Sequence, residues 1–358
     1  MNSLKLLKRI YRKSRIRRWQ KLYDQPHHIK ADKALQSLLN QGKNLSPAQI
    51  SKCETYAKEV LGGKEFAPWL KVYSAFQGEF KEGWIPDNYL GRIVCPAING
   101  DFRRLSDRKT LSKRILQTEA LPDLVYYIRG CWSNRFGQPI SFQEVRALCF
   151  DQNPIVFLKK DFSFQGNGVI KLTPEGFDQF DFKQAGDFVI QSPIFQHPLL
   201  EEFSPGAVAT IRITTVKPPG EPATNKLTGL RVGRKGMEYI YTKDCIRVPI
   251  RIEDGSFFDT ATTAGWGILE KHPDTGATFS GKSIPNFLEA VALCEQTHDR
   301  LPHVQLIGWD VSINQEGKAQ LIEWNSDEPG IVFSESATGP HFKNLGWENL
   351  WKISSGTR

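Results

Sequence analysis

At 358 residues, with 40% apolar and 24% charged side chains, the chain has a globular composition and enough length for two or three lobes. No apolar run is long enough to span a bilayer, and the basic start lacks the uninterrupted apolar stretch of a signal peptide. The net charge of +8 is local: residues 1–23 carry nine cations and no acid, and removing those nine leaves −1 for the remainder.

That first segment places Leu4, Leu7, Tyr11, Trp19, Leu22 and Tyr23 at roughly helical spacing among its cations. Two readings follow: a helix lying on an anionic membrane surface, or a helix packed on its own protein with a solvated basic face. Nucleic acid is disfavoured as a partner, because the rest of the chain has no second basic patch interleaved with aromatics. The six cysteines (53, 95, 131, 149, 245, 294) form no CxxC pair and no metal spacing, which reads as reduced thiols in a cytoplasmic protein, with the inner face of a membrane as a peripheral site.

Residues 24–85 read as helical, with Gly42 closing ADKALQSLLNQG and Ser46-Pro47 opening the next helix as cap and first position. Residues 86–104 read as a turn-rich connector carrying a first strand-like piece. LSDRKTLSKRILQTEALP is a helix capped by Ser106 or Asp107 and stopped by Pro122. From about residue 153 the pattern turns to strands: PIVFLKK, GVIKL, DFVIQSPI, VATIRITTV and LTGLRVG, with KPPGEPATNK (217–226) as a hairpin connection. IPNFLEAVALCEQTHDRL, after Gly281, is the strong helix of this half.

QLIGWDVSINQEGKAQLIEWNSDEPG (305–330) follows, as two strands joined by a Gly-containing turn. With Asn314 opposite Ala319, Asp310 falls opposite Glu323, and Asn325 shares the face of Glu323. Two acids directly opposite each other are destabilising unless something positive lies between them. An oxygen-only set of Asp, Glu and Asn suits magnesium, and the absence of Cys or His argues against zinc. The alternative is a solvent-facing strand pair whose acids are hydrated.

PIVFLKKDFSFQGNGVIKL ends a strand in Lys159 and turns through Gly166-Asn167-Gly168. Glycines let backbone N–H groups curl toward an anion, and a lysine at a strand end adds a point charge. The spacing is neither a Walker loop nor GxGxxG, so a plain hairpin turn is the other reading.

In this order the motifs carry a resemblance. From about Leu105 to Gly339, through VFLKKDFSFQGNGVIKL, FVIQSPIFQHPLL, VATIRITT, LRVGRKG and the final hairpin, the chain resembles an ATP-grasp enzyme, and within that superfamily the sugar-transfer associated ATP-grasp proteins. The resemblance covers roughly two thirds of the chain and implies an α+β fold in which two lobes close on ATP. It implies that Lys159 contacts phosphate, that the loop from Ser163 through Gln165 and Gly166 to Gly168 covers it, and that Val189–Ile194, with Gln191 and Ser192, is the hinge reading adenine. It also implies that Asp310, Glu323 and Asn325 hold Mg2+, and that Arg212 meets the transferred phosphoryl group or a substrate carboxylate, an exposed strand arginine being the alternative. The pattern departs at LSDRK, where either Arg108 or Lys109 meets phosphate, and at the hinge, where Gln191-Ser192 replaces an acid.

The implied organisation is a basic segment (1–23), a mainly helical region (24–104), an ATP-grasp catalytic region (105–345) and a tail (346–358). The implied activity is ATP- and magnesium-dependent carboxylate–amine ligation through an acylphosphate, on an amino acid, peptide or amino sugar, with Ser326 and Ser334 as candidate substrate contacts. A small-molecule kinase on the same scaffold and a non-catalytic membrane-associated module are the alternatives. No Ser/His/Asp triad is evident, and His197, His272, His298, His303 and His341 read as structural.

Overall fold

Apolar residues at alternate positions build sheets from about residue 123 onward, while the first hundred residues carry helical periodicity and good caps. The computed structural model describes residues 2–163 and 167–354, with side chains from Tyr11 to Ile353 apart from Arg12 and Lys13. Gln165 and Gly166 of the expected phosphate loop lie outside the described residues. The chain divides into two units: residues 1–97, 265–267 and 330–358 form one, and 98–264 with 268–329 the other.

The first unit is helical. Helix α1 (Asn2–Asn40) is continuous through Pro26, so the basic segment and ADKALQSLLN are one element of 39 residues. An interior proline removes a hydrogen bond and clashes with the preceding turn. Next to it, Asp24 is buried and paired with the buried Arg92 guanidinium, which also reaches Glu65 at 2.7 Å. Helix α2 (Pro47–Thr55) starts as expected, with Ser46 and Gln49 closing a reciprocal capping box. Helix α3 (Ala67–Gln77) buries Trp69, Leu70, Val72 and Tyr73 and ends at Gly78, whose φ of +82° suits the left-handed stop.

Residues 87–107 contain no strand, contrary to expectation. They run through short α, π and 3-10 turns in which Asn88, Tyr89, Leu90 and Val94 are buried. Glycine and proline there punctuate helical turns. No helix among the described residues is long and apolar enough to cross a membrane.

The second unit is two antiparallel sheets. The first has the order β2-β1-β5-β3-β4, from β1 (Asp123–Ile128), β2 (Cys131–Asn134), β3 (Val156–Lys160), β4 (Val169–Leu172) and β5 (Phe188–Gln191). Its core is aromatic, with Phe177, Phe182 and Phe188 packed around Leu158 and Ile190. The second has the order β10-β9-β8-β7-β6-β11-β12, from β6 (Thr210–Val216), β7 (Thr224–Val232), β8 (Ile246–Pro249), β9 (Ala261–Thr263), β10 (Ile268–Leu269), β11 (Leu306–Ile313) and β12 (Ala319–Asn325). The helix Phe287–Asp299 packs on this sheet, burying Phe287, Ala290, Val291 and Cys294 in the same core as Ile211, Trp309 and Val311.

In the helical unit Glu335, on the short helix Val332–Thr338, is fully buried, and its backbone carbonyl accepts the Trp84 indole N–H at 3.2 Å. Burial pushes its carboxyl from 4.5 up to about 8, against the backbone N–H groups of His341 and Ile85. The folded protein therefore keeps a proton that the unfolded chain has released, and the contribution of Glu335 to stability falls as pH rises from about 4.5 to about 8. Glu335→Gln removes that titration. Melting curves should show the variant gaining over wild type at pH 8 and matching it near pH 5, and an unchanged difference across this range would refute the assignment.

Candidate functional site

The central strand of the site is β11, paired with β6 on one side and β12 on the other. Asp310 lies opposite Arg212 on β6 and opposite Glu323 on β12. Arg212 Nε donates to Asp310 Oδ1 at 2.7 Å and its terminal nitrogen to Oδ2 at 2.9 Å, a two-pronged pair, and its other terminal nitrogen donates to the Pro329 carbonyl. With Asp310 6% and Arg212 8% exposed, neither the solvent-facing strand pair nor the exposed arginine describes this site.

The Asp310–Glu323 juxtaposition is as expected, but the ladder reaches it differently. Ile313, not Asn314, pairs with Ala319, and a bulge that leaves Ile322 without a cross-strand partner restores the register at Glu323. Burial raises the Asp310 carboxyl, but Arg212 and Arg231 outweigh it and hold the group below its ordinary range. Glu323 goes the other way: burial raises it first and Asp310 second, against the pull of Lys109, Lys159 and Arg212.

The facing wall comes from the first sheet. Lys159, near the end of β3, donates to the carbonyl of the bulged Ile322 at 3.2 Å. Burial lowers its amine, while Glu323, Asp123 and Asp310 act to raise it. Lys109 opens the helix Lys109–Leu116 and donates to the Ser163 carbonyl at 2.7 Å. Together with Leu121, Gln191, Glu323 and Trp324, these two lysines line one cleft.

Arg108 points elsewhere: it lies 3.8 and 3.9 Å from Asp161 and Asp187 and stacks over Phe162 at 4.3 Å. Neither Ser106 nor Asp107 caps the helix. Arg108 holds the cap position without a side-chain cap bond, and Asp161, from the β3–β4 turn, accepts the Thr110 N–H at 3.0 Å and its hydroxyl at 2.9 Å. In that turn Ser163 Oγ donates to the Lys160 carbonyl at 2.6 Å, and a Cβ at Gly168 would overlap the Ser163 side chain, so this loop closes only around glycine.

At the expected hinge, β5 ends at Gln191 rather than continuing to Ile194. Gln191 Nε2 donates to the buried Asp123 Oδ1 at 2.6 Å, and Tyr126 donates its hydroxyl to Oδ2 at 2.7 Å. Burial raises the Asp123 carboxyl, while Gln191, Tyr126 and Lys159 pull it down. Ser192 N donates to the Pro122 carbonyl at 2.9 Å, and Ile194 lines a separate recess with Phe195 and Gln196. Asp123 was missed in the sequence. The run DLVYYI followed by Arg129-Gly130, both at positive φ, carries the signal of the β1–β2 hairpin that holds it.

The remaining candidates are engaged differently. Asn325 Oδ1 accepts the N–H groups of Asp327 and Glu328, both at 3.1 Å, so its amide oxygen is occupied by its own turn. Ser326 is fully buried, and its hydroxyl donates to the Arg103 carbonyl at 2.8 Å. Ser334 belongs to a helix of the other unit. His272 and His298 are buried and bonded, to Gly233 O and to Thr215 Oγ1 and Val304 O respectively. Among the described residues no group of three or more His, Cys, Asp or Glu forms a metal cluster.

Residues 181–346 match the model of the family described as sugar-transfer associated ATP-grasp, and the chain resembles that group. Solved structures with a similar trace include the biotin carboxylase domain of the Hydrogenobacter thermophilus 2-oxoglutarate carboxylase with MgADP and bicarbonate (12% identity, TM-score 0.43, 71% of this chain and 46% of that one). The ATP-grasp ligase PsnB with its minimal precursor (12%, 0.41, 72% and 63%) and the Thermotoga maritima N5-carboxyaminoimidazole ribonucleotide synthetase (9%, 0.37, 72% and 54%) are others. The chain thus spans about half to two thirds of each of these relatives. No curated protein matches it.

Arg212→Ala leaves Asp310 buried, facing Glu323, without its counter-ion. Urea unfolding should show a loss of about 3–5 kcal/mol. Adding Asp310→Ala on top should cost less than Asp310→Ala does alone, and simple additivity would mean that the two side chains do not act as a pair.

Proposed function

We propose that the protein is an ATP- and magnesium-dependent carboxylate–amine ligase. The observation that carries this reading is convergence: Lys159, Lys109 and Glu323, the last paired across the sheet with Asp310, line a single small cavity in a chain that resembles ATP-grasp proteins. Two cations suit the phosphates of a nucleotide, and two carboxylates with only oxygen donors suit a hard divalent ion that takes one or two protein carboxylates alongside phosphate oxygens and water. In this reading Glu323 is the principal magnesium ligand. Both Asp310 oxygens accept from Arg212, so Asp310 joins through the lone pairs that remain, and Asn325 joins only by releasing its turn. When bound, magnesium supplies charge neutralisation on the phosphates.

The roles of the other residues follow from their placement. Lys159 and Lys109 hold phosphate charge. The Ser163–Gly168 turn covers it, and the segment Gln191–Ile194 supplies backbone for the adenine edge, its first side chain fixed by Asp123. Arg212 keeps Asp310 ionised and aimed, a positioning role, in place of direct contact with the phosphoryl group. The chemistry asks the protein mainly to align reactants and offset charge. A carboxylate oxygen attacks the γ-phosphorus and ADP leaves; the amine then attacks the acyl carbon, inorganic phosphate departs, and an amide is formed. The substrates fall in the class of amino acids, peptides and amino sugars, and the five buried cysteine thiols fit a cytoplasmic setting.

Two measurements test this reading. In nucleotide titrations Lys109→Ala should weaken ATP binding about tenfold or more, whereas Arg108→Ala should change it by less than threefold, consistent with about 1.4 kcal/mol per tenfold. Equal losses would return the phosphate role to Arg108. In turnover with an oxygen-18 carboxylate, one labelled oxygen should appear in inorganic phosphate. A stable phosphorylated product without amide would establish the kinase alternative.

A further inference from the structure

Between Tyr11 and Asp24 helix α1 is only partly covered: Ile16, Gln20 and Tyr23 are half-buried, and the other described side chains are exposed. Asp24 is the first buried residue of the helix, and among the described side chains before it every one is exposed or half-buried. Beyond that point Ala31, Ala34 and Leu38 are buried on one face. Tyr11, Leu22 and Ile29, separated by eleven and seven residues, fall on one stripe about half a turn away from that face. Tyr11 is 66% and Leu22 61% exposed, with Trp19 beside them at 49%. Arg15 and Arg18 are exposed within the stripe itself and Arg17 and Lys21 are exposed outside it, and no acid precedes Asp24 in the sequence.

We propose that the exposed side of α1 before Asp24 is a docking element for an anionic lipid surface, lying in the plane of the interface with Tyr11, Trp19 and Leu22 inserted and its arginines reaching to lipid headgroups. Charge complementarity argues for this occupant. Nine cations with no acid, on about 33 Å of helix, match a negatively charged leaflet, and a Trp and a Tyr on the exposed side belong at headgroup depth. A second copy of the chain would bring nine cations against nine. A nucleic acid would use the cations but leave the apolar stripe in water.

The test is co-sedimentation of the full chain with vesicles of phosphatidylcholine, with and without about 30% phosphatidylserine, at about 0.1 M and about 1 M salt. Each cation near such a surface is worth roughly a fivefold gain in partition, so Arg15→Ala, Arg17→Ala and Arg18→Ala together should weaken binding about 100-fold. Tyr11→Ala with Leu22→Ala should weaken it at both salt concentrations, and the melting temperature of each variant should equal wild type, because these side chains are exposed. Wild-type binding confined to the anionic vesicles and reduced in both variants supports the proposal. No binding to anionic vesicles, binding that survives the triple substitution, binding to RNA alone, or light scattering that shows a salt-resistant dimer indifferent to lipid would each overturn it.

Discussion

The Arg212–Asp310 pair is the constraint on which the rest of the site depends. Asp310 lies on the strand next to the edge of a seven-stranded sheet, one whose eight residues are all buried, directly opposite a second acid. A carboxylate there is tolerated only if a cation is at hand, because desolvating an unpaired charge costs several kcal/mol. The neighbouring strand supplies that cation as a planar guanidinium that takes both oxygens at once. With Asp310 held ionised by Arg212, Glu323 bears the consequence: burial and the facing charge push it up, against the pull of Lys109, Lys159 and Arg212. In the proposed reading, this demand for positive charge at Glu323 is what a divalent cation would meet.

The bulge at Ile322 links the two walls. An unbroken ladder from Ile313–Ala319 would place Glu323 off register with Asp310, whereas the extra residue brings the acids together. The same residue offers its carbonyl to Lys159, so one irregularity both aligns the carboxylates and anchors the lysine beside them. Asp123 does similar work at the hinge, fixing Gln191 on β5 next to the strand that carries Lys159.

The hairpin 305–325 was legible in the sequence because its side chains alternate with period two around a glycine turn, and the facing of Asp310 and Glu323 followed from that period. The bulge was not, because a skipped ladder bond carries no residue signature. The partner of Asp310 was also beyond reach, since Arg212 is 98 residues away and becomes a neighbour only when β6 and β11 pair. The choice between Arg108 and Lys109 depended on where a helix begins, and that start is set by Asp161 from a different element. Asn325 looked like a third metal donor by strand parity, yet the turn after β12 uses its amide oxygen, a local competition that alternation does not encode. The continuity of α1 through Pro26 was hidden for a related reason: local rules place a break there, and the buried Asp24–Arg92 contact belongs to the tertiary structure.

The central claim is that Glu323 and Lys159 form one seat for a magnesium–nucleotide pair. Thermal unfolding with ATP alone, magnesium alone and both together tests it most directly, on wild type, Glu323→Gln and Lys159→Met. A ligand at about 100 times its dissociation constant stabilises the native state by about 2.7 kcal/mol. The account predicts a joint shift in wild type exceeding the sum of the separate ones, its loss in Glu323→Gln with the unliganded melting temperature preserved or raised, and a weakened response to ATP in Lys159→Met. A wild type indifferent to all three conditions, or a joint shift undiminished in both variants, would contradict it.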